Sequence, residues 1–275
     1  MTVAAACDDE DAPLFAMPRI VADRHPDGSV WLRSTVALQP SARCVGDWLE
    51  QWAARAPDRV FLGERNSADQ PWTTVTYAEA LRRVRRIGAW VLASDMSVER
   101  PLAILSDNSI DHALFALGAM HVGVPVAAVS PAYSLVARDF DKLRSMVALL
   151  DPGAIYVSSQ KPFAAALAAI APAHRARIVS GEDAPEGDVV AFRDVVATLE
   201  SAEVARAFAG VGPDTVAKFL FTSGSTGVPK AVINTQRMLT ASQTAKAQVW
   251  PFLDHADDGL VILDWLPWSH TFGAN

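Results

Sequence analysis

Residues Pro101–Val129 read PLAILSDNSIDHALFALGAMHVGVPVAAV. Pro101 to Leu105 is a short continuous apolar run, the mark of a strand buried on both faces. Ser109 stands where a helix needs an N-cap and Gly123 where a helix must stop, so a helix is predicted between them. Val124 to Val129 is a second buried strand, broken by Ser130 and Pro131. Strand, helix and strand in so short a span make a crossover unit, and a crossover of this kind joins parallel strands. The apolar stretch from Ala113 to Val129 approaches membrane-spanning length. His121, Gly123 and Pro125 interrupt it, and Asp111 and His112 precede it, so it reads as a buried helix running into a buried strand.

The same alternation continues downstream. A helix is predicted around Phe140 to Leu150, a turn at Asp151, Pro152 and Gly153, a strand at Ala154 to Val157, an Ala-rich helix, and a strand at Arg177 to Val179. Upstream, Trp48, Leu49, Trp52 and Ala53 share one helical face, Pro57 ends that segment, and Arg59 to Gly63 is strand-like. Thr76 and Glu79 have the spacing of a capping box, opening a helix whose apolar face runs through Leu81, Val84, Gly88 and Val91. The expected fold is α/β, a largely parallel sheet with helices on both faces and ligand sites at the carboxyl ends of its strands. Three regions are expected: an irregular arm over residues 1–42 with one short strand at Val30 to Leu32, a first α/β subdomain over 43–180, and the start of a second over 181–275. The polar loop Gly181 to Gly187 divides the last two. No repeat of solenoid period is present.

The bulk composition narrows the function. Hydrophobic residues make up 51% and charged ones 20% of the 275 residues, the usage of a folded globular chain. The net charge is −7 and no run of Lys or Arg is dense enough to track a phosphate backbone, which argues against nucleic acid as a partner. Cys7 and Cys44 form no C-x-x-C pair, so neither a zinc site nor a disulfide framework is expected. The opening MTVAAACDDEDAPLF lacks the basic and apolar regions of a signal peptide, and a reducing cytoplasm is the expected compartment.

The chemistry is carried by the stretch after the apolar strand Val216 to Phe221. Thr222, Ser223, Gly224, Ser225, Thr226, Gly227, Val228, Pro229 and Lys230 follow it, and a second apolar strand, Ala231 to Ile233, comes next. Glycines let a backbone turn tightly and bring N–H groups close to an anion, while hydroxyls and an ammonium add donors and positive charge. Those are the parts of a polyphosphate cradle. The spacing is not that of the Walker loop, whose lysine opens a helix, because Lys230 opens a strand. A bare Ser/Gly-rich hairpin with a solvated lysine is the bland alternative, and the length of the string weighs against it.

This string resembles the signature loop of the adenylate-forming enzymes, the superfamily of acyl-CoA synthetases, luciferases and the adenylation domains of peptide synthetases. Ala231 stands where that family usually has Gly, and the continuation AVINTQRML is similar to feruloyl-CoA synthetases. A second motif, Trp265, Leu266, Pro267, Trp268, Ser269, His270, Thr271, Phe272 and Gly273, resembles the segment that lines the family's acyl pocket. Taken alone, His270 beside two tryptophans is more often a packed, hydrogen-bonded histidine than a functional one. The resemblance covers about Arg43 to Asn275.

The resemblance implies a two-step ligase reaction using ATP, Mg²⁺ and coenzyme A. A carboxylate attacks the α-phosphorus of ATP to give acyl-AMP and pyrophosphate, and the CoA thiol then displaces AMP. It further implies that Thr222, Ser223, Gly224, Ser225, Thr226, Gly227 and Lys230 hold the β and γ phosphates and that His270 borders the carboxylate. Ferulate or a related aromatic acid is the implied substrate, with a medium-chain or other aryl-CoA ligase as the alternative. No metal-ligand cluster is visible in the sequence. Family members run to roughly twice this length, so the chain is expected to be an N-terminal fragment, inactive alone; a non-catalytic nucleotide-binding remnant is the competing class.

Overall fold

A computed structural model of the chain describes residues 14–65, 67–182, 184–222, 229–253 and 260–274. They fall into two compact units, Met1–Ser41 with Thr240–Asp264, and Ala42–Leu239 with Trp265–Asn275. The smaller unit holds an antiparallel hairpin of β1 (Ile20–Arg24) and β2 (Val30–Ser34). Its turn uses Gly28 at φ 86°, and Asp27 accepts hydrogen bonds from both the N–H and the hydroxyl of Ser29. One short strand was expected here; the second forms because this turn closes a pair.

The larger unit begins with α1 (Val45–Arg55), the antiparallel pair β3 (Val60–Glu64) and β4 (Thr73–Thr76), and α2 (Tyr77–Leu92). Next come β5 (Leu102–Ile104), α3 (Ile110–His121), β6 (Val126–Ala128), the short α4 (Ala132–Leu135), α5 (Asp141–Leu150) and β7 (Ala154–Val157). They are followed by α6 (Gln160–Ile170), β8 (Arg177–Ser180), β9 (Val189–Ala191), α7 (Phe192–Val196) and α8 (Ala202–Gly210). The chain continues through β10 (Val216–Thr222), β11 (Lys230–Thr235), α9 (Gln236–Val249) and α10 (Thr271–Ala274).

Seven strands form the main sheet in the order β11-β10-β6-β5-β7-β8-β9, parallel throughout except for β10 against β11. The buried strands alternate between two cores, as the pleat requires. Leu102, Ile104, Val126, Ala154 and Tyr156 pack on one face with side chains of α2, α3, α7 and α8. Ala103, Leu105, Ala127, Val129, Ile155 and Val157 pack on the other with α5 and α6. From the central β5 the chain moves through α3 to β6 on one side, then through α5 on the opposite face to β7 on the other. That reversal is the kind of topological switch point at which α/β sheets place ligands.

Local signals explain the boundaries. Ser109 accepts from His112 N–H at 3.0 Å and caps α3; Gly123 ends it at φ 83°. Thr76 accepts from Glu79 N–H at 3.3 Å, but the Glu79 carboxylate turns to Arg83 one helical turn on, so only half of the expected capping box forms. Asp151 takes the left-handed conformation at φ 41° to end α5. A β-carbon added to Gly118 of α3 would lie 2.4 Å from a methyl group of Ile87, so α2 and α3 pack closely only because this position is Gly.

Candidate nucleotide and acid site

β10 and β11 pair antiparallel with Thr222 directly opposite Lys230, so the phosphate-type string leaves one strand end and returns to its neighbour's. Ser223, Gly224, Ser225, Thr226 and Gly227 lie outside the described residues. Thr222 and Lys230, at the two feet of the loop, are exposed. Because β10 runs parallel to β6, the loop stands at the carboxyl end of the sheet. Pro229 is buried just before the returning strand, where its fixed φ and missing N–H suit a strand entrance.

On β10 the side chains alternate. Phe219 and Phe221 pack into the core shared with α5 and α6, and Lys218, Leu220 and Thr222 take the opposite face by the two-residue period. That face carries a cavity of about 210 Å³ whose walls include His112, Ala116, Met120, Lys218, Leu220 and Trp268. Burial pulls the Lys218 ammonium down from 10.5 to about 8. Its Nζ donates to the carbonyl of Ala274, at the end of α10.

The second motif is fastened to the loop after β5. Asn108 Nδ2 donates to the Leu266 carbonyl at 2.7 Å, and Trp268 N–H donates to Asn108 Oδ1 at 2.9 Å, so one amide holds the segment from both ends. Trp268 then meets the ring of His112 edge-on, with centroids 5.1 Å apart. Burial holds His112 neutral, down from 6.5 to about 4, and its Nδ1 lies 3.1 Å from the Asp107 carbonyl. A carbonyl only accepts, so Nδ1 carries the proton and Nε2 keeps a lone pair.

His270 is exposed, unlike the packed histidine that its tryptophan neighbours suggest. Its N–H donates to Pro267 O at 3.1 Å, its carbonyl accepts from Ala274 N–H at 2.9 Å, and its Nδ1 accepts from Phe272 N–H at 3.3 Å. The ring therefore presents Nε2 outward as a donor when neutral. Sequence reasoning did not single out Asn108 or Lys218 as site residues. The only signal for Lys218 was a charge inside the apolar run VAKFLF, and Asn108 gave none beyond a polar S-D-N-S turn. Among the described residues no group of three or more His, Cys, Asp or Glu side chains is placed to hold a metal ion. No helix among them is long and apolar enough to cross a membrane.

One family model, described as "AMP-binding enzyme", matches residues 49–275, a span that takes in both the loop footed on Thr222 and Lys230 and the tethered Trp-Leu-Pro-Trp-Ser-His segment. The chain belongs to the AMP-binding enzyme family. Among curated proteins it is 27% identical over 226 residues to 3-[(3aS,4S,7aS)-7a-methyl-1,5-dioxo-octahydro-1H-inden-4-yl]propanoyl:CoA ligase of Rhodococcus jostii (strain RHA1), covering 77% of this chain and 42% of that protein. It is 29% identical over 206 residues to 4-coumarate-CoA ligase 1 of Narcissus pseudonarcissus, covering 74% of this chain and 35% of that one. The chain thus spans less than half the length of either relative. Among solved structures, that of VinN superposes with a TM-score of 0.64 at 18% identity, over 86% of this chain and 54% of the other, a likeness of fold. The structure described as a putative long-chain-fatty-acid CoA ligase from Rhodopseudomonas palustris CGA009 shares the same α/β fold, with a TM-score of 0.69 at 18% identity over 84% of this chain and 53% of the other.

Proposed function

We propose that this chain is the ATP-gripping portion of an acid:CoA ligase that converts an aromatic acid, ferulate or a related hydroxycinnamic acid, first to an acyl-adenylate and then to a CoA thioester. The observation that carries this reading is the shared address of two parts. Thr222, one foot of the loop, lies on the same face of β10 as Lys218 and Leu220, and Trp268 of the segment clamped by Asn108 lines the cavity on that face. The names of the Rhodococcus and Narcissus relatives, both CoA ligases, support the reaction class.

In this reading Thr222, Ser223, Gly224, Ser225, Thr226, Gly227 and Lys230 hold the β and γ phosphates of ATP. Backbone N–H groups, hydroxyls and one ammonium are a donor set suited to a polyphosphate and not to a neutral ligand. Mg²⁺, when bound with ATP, neutralises phosphate charge. The acid's carboxylate oxygen attacks the α-phosphorus, the bond to the bridging oxygen breaks and pyrophosphate leaves; the thiol of CoA then adds to the acyl carbon and AMP departs. His270 offers an outward N–H to the carboxylate. The protein's share of the work is positioning and charge neutralisation. The regions 1–42, 43–180 and 181–275 act as arm, first subdomain and opening of the second, in a reducing cytoplasm.

The test is ATP–pyrophosphate exchange and thioester formation by the whole protein that carries this chain, with ferulate, coumarate, benzoate and octanoate. Exchange dependent on the hydroxycinnamic acids is expected. Turnover of octanoate alone would move the reading to a medium-chain ligase, and ATP binding without exchange for any acid would replace it with a non-catalytic nucleotide-binding protein.

A further inference from the structure

Asn108 stands on the loop between β5 and α3, at the carboxyl end of the central strand of the main sheet. That loop is held by bonds of its own. Ser158 N–H donates to Ser106 Oγ, His112 N–H donates to Ser109 Oγ at 3.0 Å, and the His112 ring donates to the Asp107 carbonyl at 3.1 Å. With the residues around it fastened, the half-buried amide of Asn108 is presented in one place. Its partners also fix which way it points, because the Leu266 carbonyl only accepts and the Trp268 N–H only donates.

What the amide grips is one end of a tight fold-back. Pro267 lies between the two clamped residues, and its carbonyl accepts from His270 N–H at 3.1 Å. The His270 carbonyl in turn accepts from Gly273 N–H at 3.0 Å and from Ala274 N–H at 2.9 Å. A β-carbon on Gly273 would lie 2.6 Å from the Pro267 oxygen, so the two ends of the fold-back touch. The imidazole is then set by Phe272 N–H, 3.3 Å from Nδ1. The path from Asn108 to the ring is short: its amide fixes both neighbours of Pro267, Pro267 takes the backbone of His270, and Phe272 takes the ring.

We propose that Asn108 is a positioning residue for the acid half of the reaction, whose amide fixes the fold-back that aims the His270 imidazole at the carboxylate. The inference rests on the acid:CoA ligase reading, in which His270 offers its N–H to that carboxylate. The competing explanation is a tether that contributes stability alone.

The experiment is a double-mutant cycle on the whole protein that carries this chain: wild type, Asn108→Asp, His270→Ala and the pair combined. Asp has the shape of Asn and still accepts from Trp268, but when ionised it cannot donate to Leu266 and sets a lone pair against that carbonyl. The readouts are pyrophosphate exchange with ferulate, coumarate, benzoate and octanoate, KM for ATP, melting temperature, and the imidazole resonance of His270 in histidine-labelled protein, assigned with His270→Ala. Asn108→Asp should slow acid-dependent exchange by roughly tenfold to a hundredfold, the range from losing one hydrogen bond to displacing a reacting partner by about 1 Å. KM for ATP should stay as it was and the His270 resonance should move. In the His270→Ala background the same change should cost no more than about twofold, since the group it positions is gone. Equal losses in both backgrounds, exchange that survives His270→Ala intact, or a lower melting temperature with exchange per folded molecule unchanged would overturn the proposal. Should Asn108→Asp fail to fold, Asn108→Ala, which removes both bonds without adding a charge, takes its place in the cycle. The resonance separates the two layers. A His270 signal unmoved by Asn108→Asp overturns the positioning whatever the activity, while a moved signal in a protein that exchanges with no acid overturns the ligase reading and leaves the placing of His270 by Asn108 standing.

Discussion

Replacing Asp111 by Asn should stabilise the protein, and only above about pH 4. Asp111 sits in the first turn of α3, partly buried, where Glu64 at the end of β3 already receives the Ile110 N–H at 2.8 Å. Desolvation and then the nearby Glu64 charge raise the Asp111 carboxyl from its ordinary 3.8 to about 6, against the lowering pull of Arg83 and the Tyr156 hydroxyl. The native state therefore holds this proton more tightly than the unfolded chain does. Below about pH 3.8 both states are protonated and the group is neutral to stability. As pH rises from there the unfolded chain ionises first, and stability is lost until the native carboxyl also ionises near pH 6.

At 1.36 kcal/mol for each pKa unit, the distance from 3.8 to about 6 corresponds to roughly 3 kcal/mol of destabilisation at pH 7. Asn keeps an acceptor for Tyr156 but forgoes the attraction of a charge to the helix N-terminus, on the order of 0.5 kcal/mol. A net gain of about 2 kcal/mol at pH 7 follows, shrinking to nothing near pH 4. Denaturant unfolding of wild type and Asp111→Asn at pH 4, 5, 6 and 7 measures it. A variant that is less stable at pH 7, or one whose gain is the same at every pH, would refute the argument, since neither agrees with a carboxylate penalised for ionising.

In the whole protein, Lys230→Ala and Thr226→Ala should each weaken ATP use in adenylate formation; a charge-assisted phosphate contact of about 1.5 to 3 kcal/mol corresponds to a loss of roughly tenfold to 150-fold for the lysine. Unchanged ATP dependence in both variants would remove the loop from the phosphate site. His270→Ala should slow acyl-AMP formation with ATP affinity and melting temperature nearly unchanged, because the ring is exposed and its one hydrogen bond, from the Phe272 N–H, is exposed as well; a loss explained by a lower melting temperature would return it to a structural role. Gly118→Ala should destabilise by about 1 to 3 kcal/mol through overpacking against Ile87, which thermal unfolding reads directly.

What the sequence could tell depended on how far along the chain its cause lay. The strand, helix and strand of Pro101–Val129 were legible because each decision is local: Ser109 caps the helix that starts at the next residue by accepting from an N–H three residues away, Gly123 ends it, and short apolar runs bury themselves. The short strands β4 and β9 and the order of the sheet were not, since pairing is chosen between segments distant in sequence. Asn108 is the sharper case, because its amide serves Leu266 and Trp268, 158 and 160 residues downstream, and nothing beside it in sequence announces that task. Lys218 lies between these extremes. A lysine inside VAKFLF breaks the pattern of its own strand, and a broken local rule in an otherwise consistent segment marks a residue retained for something other than folding. Only the fold, by setting Lys218 and Leu220 against one cavity and the Lys218 ammonium on the Ala274 carbonyl, shows what that irregularity faces.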